Sequence, residues 1–173
     1  MAIASPGTIT NITVGNHRVT WNSVVLGLTA AGSQITIEKI WRDIVADQYG
    51  QTVLDKHLVG EKVTVELVLK EFNATNLGKA TAGSTTTSTT TVEDGVQYGG
   101  AIKLSSYQQL LTLHPLHIDD GTLTGDWNFF KAVPVISGPI PSKHDEDLVI
   151  PVTFHVLPDT SKVIGKQLYK YGT

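Results

Sequence analysis

The alternation that decides the fold lies in residues 61–71, which read Glu-Lys-Val-Thr-Val-Glu-Leu-Val-Leu-Lys-Glu. Val63, Val65, Leu67 and Leu69 lie on one face of this segment and alternate with Thr64, Glu66, Val68 and Lys70 on the other. A period of two residues is typical of a β-strand that buries one face and leaves the other in water. The segment therefore predicts a half-buried strand.

Similar patterns recur on both sides of this strand. Upstream they predict strands at 8–14 and 18–28, separated by Gly15-Asn16, and a strand at 34–41 that pairs with the one before it as a hairpin. Downstream they predict strands at 110–116, 126–135 and 148–157. A short helix is expected between the two groups, because Asn73 or Thr75 can begin it and Gly83 can end it.

These elements indicate one mainly β domain over residues 1–173. Many short antiparallel strands, one helix and no alternation of strands with helices predict a two-sheet antiparallel β-sandwich or barrel with one short flanking helix. The threonine-rich run at 84–91 fits either a linker or a surface strand, and its composition does not choose between them.

The segment 42–60 differs from its neighbours, because it mixes acidic residues, Gly50 and scattered apolar residues without a sustained period. We expect a long connection here. Connections longer than ~12 to 15 residues are uncommon inside a compact domain and are often functional. The apolar residues of this segment suggest contact with a partner.

Composition excludes several classes of function. The chain has 173 residues, a formal net charge of -3 and no cysteine, and 17% of its residues are charged. Tight, groove-reading binding of nucleic acid needs clustered basic residues, which this balance does not offer. Without cysteine there are no disulfides, thiolate metal sites or cysteine nucleophiles. No signal peptide or bilayer-spanning run is recognisable, so we expect a soluble protein made in a cytoplasm.

No arrangement of residues predicts an enzyme, a cofactor site or a metal site. His114 and His117 lack converging ligands, and the acidic segment 144–147 is expected to be a solvated loop. Glu66 and Glu71 do not suggest a glycosidase cleft. Six aromatic residues could form a sugar-binding platform but are more typical of a core, namely Trp21, Trp41, Tyr107, Trp127, Phe129 and Phe130.

Three motifs follow one another along the chain. The first is DQYGQTVLD (47–55), which turns at Asp-x-x-Gly and is followed by the strand GEKVTVEL (60–67) and the helix signal at 71–80. The second is LLTLHP (110–115), a strand that ends in His-Pro. The third is WNFFKA (127–132), followed by IPVTF (150–154), LPD (157–159) and the closing Tyr171-Gly172. In this order the motifs resemble the tail tube proteins, or major tail proteins, of long-tailed bacteriophages.

The resemblance implies that six copies form a ring whose inner strands join into a shared β-barrel. Stacked rings would form the virion's tail tube, through which viral DNA passes into the host without specific binding. The implied partners are tape-measure, tail terminator and baseplate proteins, with a sheath in a contractile tail. The resemblance implies no cofactor and no membrane insertion, and it places the protein in the virion tail after synthesis in the host cytoplasm.

The resemblance also assigns roles to segments. Residues 1–16 would be an N-terminal arm and first strand, 42–60 an inter-ring loop, and 158–173 a C-terminal arm that leaves the body and bridges subunits. The ring-stacking residues would be Ile44, Val45, Asp47, Tyr49, Gly50, Val53, Leu54 and Asp55. The bridging residues would be Val163, Ile164, Leu168, Tyr169 and Tyr171. Thr64 and Glu66, on the wet face of the central strand, are the expected lumen-facing residues.

Two alternatives remain at this point. The inner tube of a tailocin or of a type VI-like secretion system has a similar fold and ring assembly. A lectin-like β-sandwich acting as a binding module is a further alternative, based on the aromatic residues.

Overall fold

A computed structural model describes residues 15–88, 91–93, 103–141, 144–145 and 147–172. These residues form one α-helix, α1 (Ala74–Ala80), and ten β-strands. The strands are β1 (His17–Trp21), β2 (Val24–Val25), β3 (Thr29–Val45), β4 (Val53–Leu69), β5 (Thr85–Ser88), β6 (Thr91–Glu93), β7 (Gln109–Pro115), β8 (Trp127–Ile136), β9 (Ile150–Val156) and β10 (Tyr169–Tyr171). The mainly β class and the short helix are confirmed.

Eight strands form one antiparallel sheet in the order β2-β1-β7-β8-β9-β4-β3, with β10 paired to β8. The predicted pairing of strand 34–41 with the strand before it is wrong. Instead, β3 pairs with the following strand, β4, from Thr29 opposite Leu69 to Val45 opposite Val53. A separate ribbon of β5 and β6 shows that the described part of the threonine-rich run is β-structure.

The sheet curls around its buried face. In the sheet order β7 and β8 lie between β1 and β9, which in a flat sheet would separate β1 from β9 by about 14 Å. The Trp21 ring on β1 nevertheless lies 6.3 Å from the Phe154 ring on β9. The Trp21 Nε1–H group also donates to the Ala132 carbonyl on β8 at 3.2 Å. The concave face formed in this way holds the core.

The core consists of the alternating apolar residues of the central strands, and α1 contributes Leu77 and Ala80 to it. The predicted buried face of the central strand is confirmed, because Val63, Val65 and Leu69 are at most 1% exposed. Among the described residues the sheet is not closed, and its edges are β2 and β3. The expected sandwich or barrel is therefore an open, curled sheet in the single chain.

Helix α1 begins as predicted, because the Asn73 side chain accepts a hydrogen bond from the Asn76 amide at 2.8 Å. It ends earlier than predicted. The amide and hydroxyl of Thr81 both donate to the Leu77 carbonyl, at 3.1 and 3.0 Å, and so complete the last turn. Gly83 lies beyond this cap, with φ of 94°.

The predicted strand at 18–28 is interrupted by a tight turn between β1 and β2. Asn22 and Ser23 have φ of 51° and 61°. Two consecutive positive values are the pattern of a type I′ turn, whose twist suits a hairpin. The predicted strand at 8–14, and all of the segment 1–16 except Gly15 and Asn16, lie outside the described residues.

Candidate assembly surfaces

The β3–β4 hairpin extends beyond the rest of the sheet. β4 pairs with β9 only from Val63 to Leu69, whereas β3 and β4 stay paired as far as Val45 and Val53. We call residues 38–62 the arm. The eight residues of β3 in it extend about 26 Å at ~3.3 Å per residue. Since an isolated two-stranded hairpin is only marginally stable in water, the arm is a candidate for contact with another molecule.

The long connection predicted at 42–60 is wrong, because these residues form most of the arm, including a 3₁₀ turn at Asp47–Tyr49. We call residues 44–55 the distal arm. Gly50 completes the turn with φ of 65°, a conformation that favours glycine. Two bulges in β4, at Val59 and Leu54, hide the strand pattern. Each adds one residue and shifts the following side chains to the other face.

The arm exposes many large apolar side chains. Trp41 is 53% exposed, Tyr49 64% and Val59 59%. Similar exposure is found for Ile40, Val45, Val53, Leu54 and Leu58. The predicted stacking residues all lie in the distal arm, and Ile44 is the one among them that is partly buried. A concentration of apolar surface on one projecting element is typical of an interaction site.

Sequence reasoning missed the apolar residues at the base of the arm, Trp41, Leu58 and Val59. The sequence pattern places Trp41 at the end of a short strand, and the bulge at Val59 interrupts the alternation of apolar and polar side chains before Gly60. A usable signal in the sequence is that two segments of similar length lie on either side of the turn at Asp47–Tyr49.

β3 also presents an unusually long edge. It spans 17 residues, and within the described part of the chain no strand pairs with its outer side. Backbone N–H and C=O groups along such an edge can pair with another chain, and natural proteins usually shorten or block it. The opposite edge strand, β2, has only two residues. β3 is therefore a candidate for pairing between copies.

Thr64 and Glu66 lie on the convex face of the sheet. Glu66 is opposite Gln34 on β3 and Thr153 on β9, and Thr64 is opposite His155. Glu66 is exposed and Thr64 is half-buried. The side chains at these paired positions are polar.

The C-terminal segment folds back onto its own chain. Leu168 and Tyr169 pack against the core, and Tyr171 pairs with Trp127 in the β10–β8 ladder. The expectation that 158–173 leaves the body is therefore wrong for these residues. Val163 and Ile164, at the tip of the loop before β10, are 75% and 90% exposed.

Asp159 fastens this loop at its base. Its amide donates to the Gln167 carbonyl at 2.9 Å, and its carboxylate lies 3.1 Å from Lys131 Nζ. The Ser161 amide and hydroxyl donate to the same carboxylate oxygen. The hydrogen bond from Lys131, followed by that from Ser161, lowers the pKa of Asp159. These contacts hold the base of the loop, while its apolar tip is exposed.

A polar network lies beside the loop between β7 and β8. His114 Nδ1 is 2.6 Å from Asp126 Oδ1, and both side chains are almost fully buried. Nearby, Arg18 donates to Asp120 at 2.8 Å. This hydrogen bond, and then the charge of Arg18, lower the pKa of Asp120. The network ties β1, β7 and the following loop together.

The network does not form a metal site. Within the ranges that the structure covers, no three His, Cys, Asp or Glu side chains are grouped so that they could hold a metal ion. Part of the segment 144–147 lies outside those ranges.

The aromatic residues considered as a sugar platform are separated in the structure. Trp127 stacks on Phe129 with 6.0 Å between the ring centroids, whereas Trp41 lies on the arm. Trp21 and Tyr107 line a small groove beside α1. The aromatic residues therefore do not form one continuous platform.

Comparison with known proteins does not identify the chain. No family model matches the sequence, and a search of the curated proteins found no match. In the described part of the chain no helix is long and apolar enough to cross a membrane.

Proposed function

We propose that this protein is a structural subunit of a phage tail tube, in which copies pair edge to edge into a hexameric ring and rings stack into a conduit for viral DNA. The observation that carries the proposal is the 17-residue edge strand β3, which continues into an exposed apolar arm. The ordered motifs that resemble the tail tube family supply the ring size and the cargo.

Ring formation would use the two open edges of the sheet. β3 of one copy would add to the β1–β2 side of the next, so that each copy offers two different surfaces. Heterologous contacts of this kind close into rings when the rotation allows it. Closing the sheet into a shared barrel removes its exposed edges, which gives a physical reason for the length of β3.

Stacking would use the distal arm, and contact between subunits would use the tip of the C-terminal loop. Tyr49 and Val53 near the arm tip, with Val163 and Ile164 on the loop, are apolar side chains that water surrounds in the single chain. Burying such surface is favourable by roughly 25 cal/mol per Å². The arm would bury it against the neighbouring ring, and the loop would bury it between subunits.

The convex face that carries Thr64 and Glu66 would line the lumen. A strongly basic lining would hold DNA by releasing its counterions, whereas a polar face with isolated acids lets it slide. The chain's net charge of -3 fits such a lining.

Electron microscopy of the purified protein tests the proposal. We expect rings with a central pore, and tubes whose axial repeat equals one ring, when the protein is concentrated or mixed with preformed tube ends. A protein that stays monomeric under both conditions would contradict the proposal.

A pair of proline substitutions tests the role of the β3 edge. Successive N–H groups of a strand point to opposite sides. Of the two variants Thr36→Pro and Ile37→Pro, one therefore loses an N–H donor to β4, and the other loses an N–H donor on the free edge. The variant that loses the outward donor should keep the monomer's stability but fail to form rings. Ring formation by both variants would exclude pairing through this part of β3.

A further inference from the structure

A small groove lies where the end of α1, the β1–β2 turn and the 3₁₀ segment Leu104–Tyr107 meet. Its volume is about 230 Å³, which is below the ~300 to 1,000 Å³ of pockets for drug-sized ligands. It is lined by Trp21, Asn22, Lys79, Ser106, Tyr107 and Gln109, among others. The groove is large enough for one sugar-sized unit and too small for a folded partner.

Trp21 gives the groove a rigid wall. Its indole N–H donates to the Ala132 carbonyl at 3.2 Å, its ring packs against Phe154, and only 8% of the residue is exposed. Lys79 Nζ lies over the same ring, 5.4 Å from its centroid. Since a cation is attracted to the face of an indole ring, the ammonium group is held at the groove.

Lys79 is in the last turn of α1, where a basic residue often compensates the helix dipole. Here the last carbonyls already have other donors. Thr81 donates twice to Leu77, and the Ser84 hydroxyl donates to the Gly78 carbonyl at 2.8 Å. The Lys79 ammonium is therefore not needed to satisfy them.

The charge around Lys79 favours an anion. No Asp or Glu is among the described residues that line the groove, and no described carboxylate forms an ion pair with Lys79. This is a local exception in a chain whose acids outnumber its bases. A cation beside hydroxyl and amide groups can make charge-assisted hydrogen bonds to a carboxylate.

We propose that this groove binds one acidic monosaccharide unit, with the sugar carboxylate at Lys79. Tyr107, which is 36% exposed, would pack against the apolar face of the sugar ring. Ser106, Gln109 and Asn22 would hydrogen-bond its hydroxyls. The aromatic walls favour a sugar acid over a bare inorganic anion, because they contribute only when the ligand has an apolar face. This site is independent of the tube proposal and does not need assembly.

Titration of the whole protein with glucuronate, glucose and inorganic phosphate tests the site, with the indole N–H signal of Trp21 in heteronuclear NMR as the readout. The signal is assigned by Trp21→Phe. We expect glucuronate to shift the signal with millimolar affinity. Glucose and phosphate should bind at least about tenfold more weakly, which corresponds to a loss of roughly 1.4 kcal/mol of binding free energy. Lys79→Gln should weaken glucuronate binding about tenfold and Lys79→Arg much less, whereas the exposed arm variant Lys39→Gln should not change it.

Three results would overturn the proposal. The first is that glucuronate does not shift the Trp21 signal up to its limit of solubility. The second is that phosphate binds with the same affinity as glucuronate. The third is that Lys79→Gln binds glucuronate as tightly as the unchanged protein. If Lys79→Gln lowers the melting temperature, Tyr107→Leu serves as the second variant. It should weaken glucuronate binding while leaving phosphate binding as it was, and equal binding of glucuronate by this variant would also count against the site.

Discussion

At the scale of single residues, the buried pair of His114 and Asp126 stands out. His114 Nδ1 faces the Asp126 carboxylate at 2.6 Å, and Nε2 faces the Ile118 carbonyl at 3.1 Å. Both ring nitrogens therefore face acceptors. The pair connects β7 to the end of the loop between β7 and β8.

Breaking this pair should be costly. We expect His114→Gln to lower the free energy of unfolding by about 1 to 3 kcal/mol, because the buried side chain of Asp126 would lose its hydrogen-bond partner. Urea denaturation measures the change. Asp119→Asn, an exposed change in the same loop, should stay within about 0.5 kcal/mol. If the double change of His114 and Asp126 to leucine costs as much as His114→Gln alone, the unpaired polar group is not the cause.

His17 should make stability depend on pH. Burial, followed by the charge of His117, lowers the pKa of His17 in the folded chain relative to about 6.5 in the unfolded chain. At a pH between these two pKa values, His17 binds more protons in the unfolded chain than in the folded chain. The free energy of unfolding therefore falls as the pH drops below about 6.5. His17→Gln should flatten the decline in melting temperature between about pH 7 and 5. His57→Gln, an exposed change on the arm, should leave the decline in place, and a parallel decline in both variants would exclude His17 as its source.

At the scale of elements, the arm is the part of the sheet with the least support from the rest of the chain. β4 pairs with β9 only from Val63 to Leu69, so in the described part of the chain residues 44–55 pair only within the hairpin. Residues that make few contacts with the core contribute little to the stability of the whole chain. The arm's apolar side chains therefore have no evident role in the single chain.

Shortening the arm tests its role in assembly. We expect replacement of residues 44–55 by Asn-Gly, a sequence that favours a two-residue hairpin turn, to join Asp43 to Lys56 without changing the melting temperature by more than a few degrees. The shortened protein should form no tubes by electron microscopy. Asp119→Asn, an exposed change in the loop between β7 and β8, is the control and should assemble normally. Normal tube assembly by the shortened protein would refute a role of the arm tip in stacking.

At the scale of the whole molecule, the two faces of the sheet differ. The concave face is filled by the core and α1. The proposal places the lumen on the convex face, which carries Thr64 and Glu66.

Reversing a charge on that face tests its position. We expect assembled tubes of Glu66→Lys to retain double-stranded DNA in co-sedimentation at low salt and to release it as the salt concentration rises. The new lysines would bind DNA phosphates and release their counterions, and binding of this kind weakens as salt is added. Asp119→Lys makes the same charge change on an outer loop and should retain less DNA. Equal retention by the two variants would place Glu66 outside the lumen.

The sequence by itself determined the mainly β class, the half-buried central strand and the start of α1, because alternation and capping depend on neighbouring residues. It also singled out the apolar residues of the distal arm, which are mostly exposed, although it described that segment as a loop. Those features can be predicted because the physical signal is local.

Only the tertiary structure decided the partner of β3, the curling of the sheet and the exposure of Trp41 and Val59. These depend on contacts between residues far apart in the chain and on bulges that shift the alternation without a composition signal. The same holds for the C-terminal segment, where Leu168 packs against the core and Ile164 remains exposed. Both are apolar, and only their distance from the other strands separates the partly buried side chain from the exposed one.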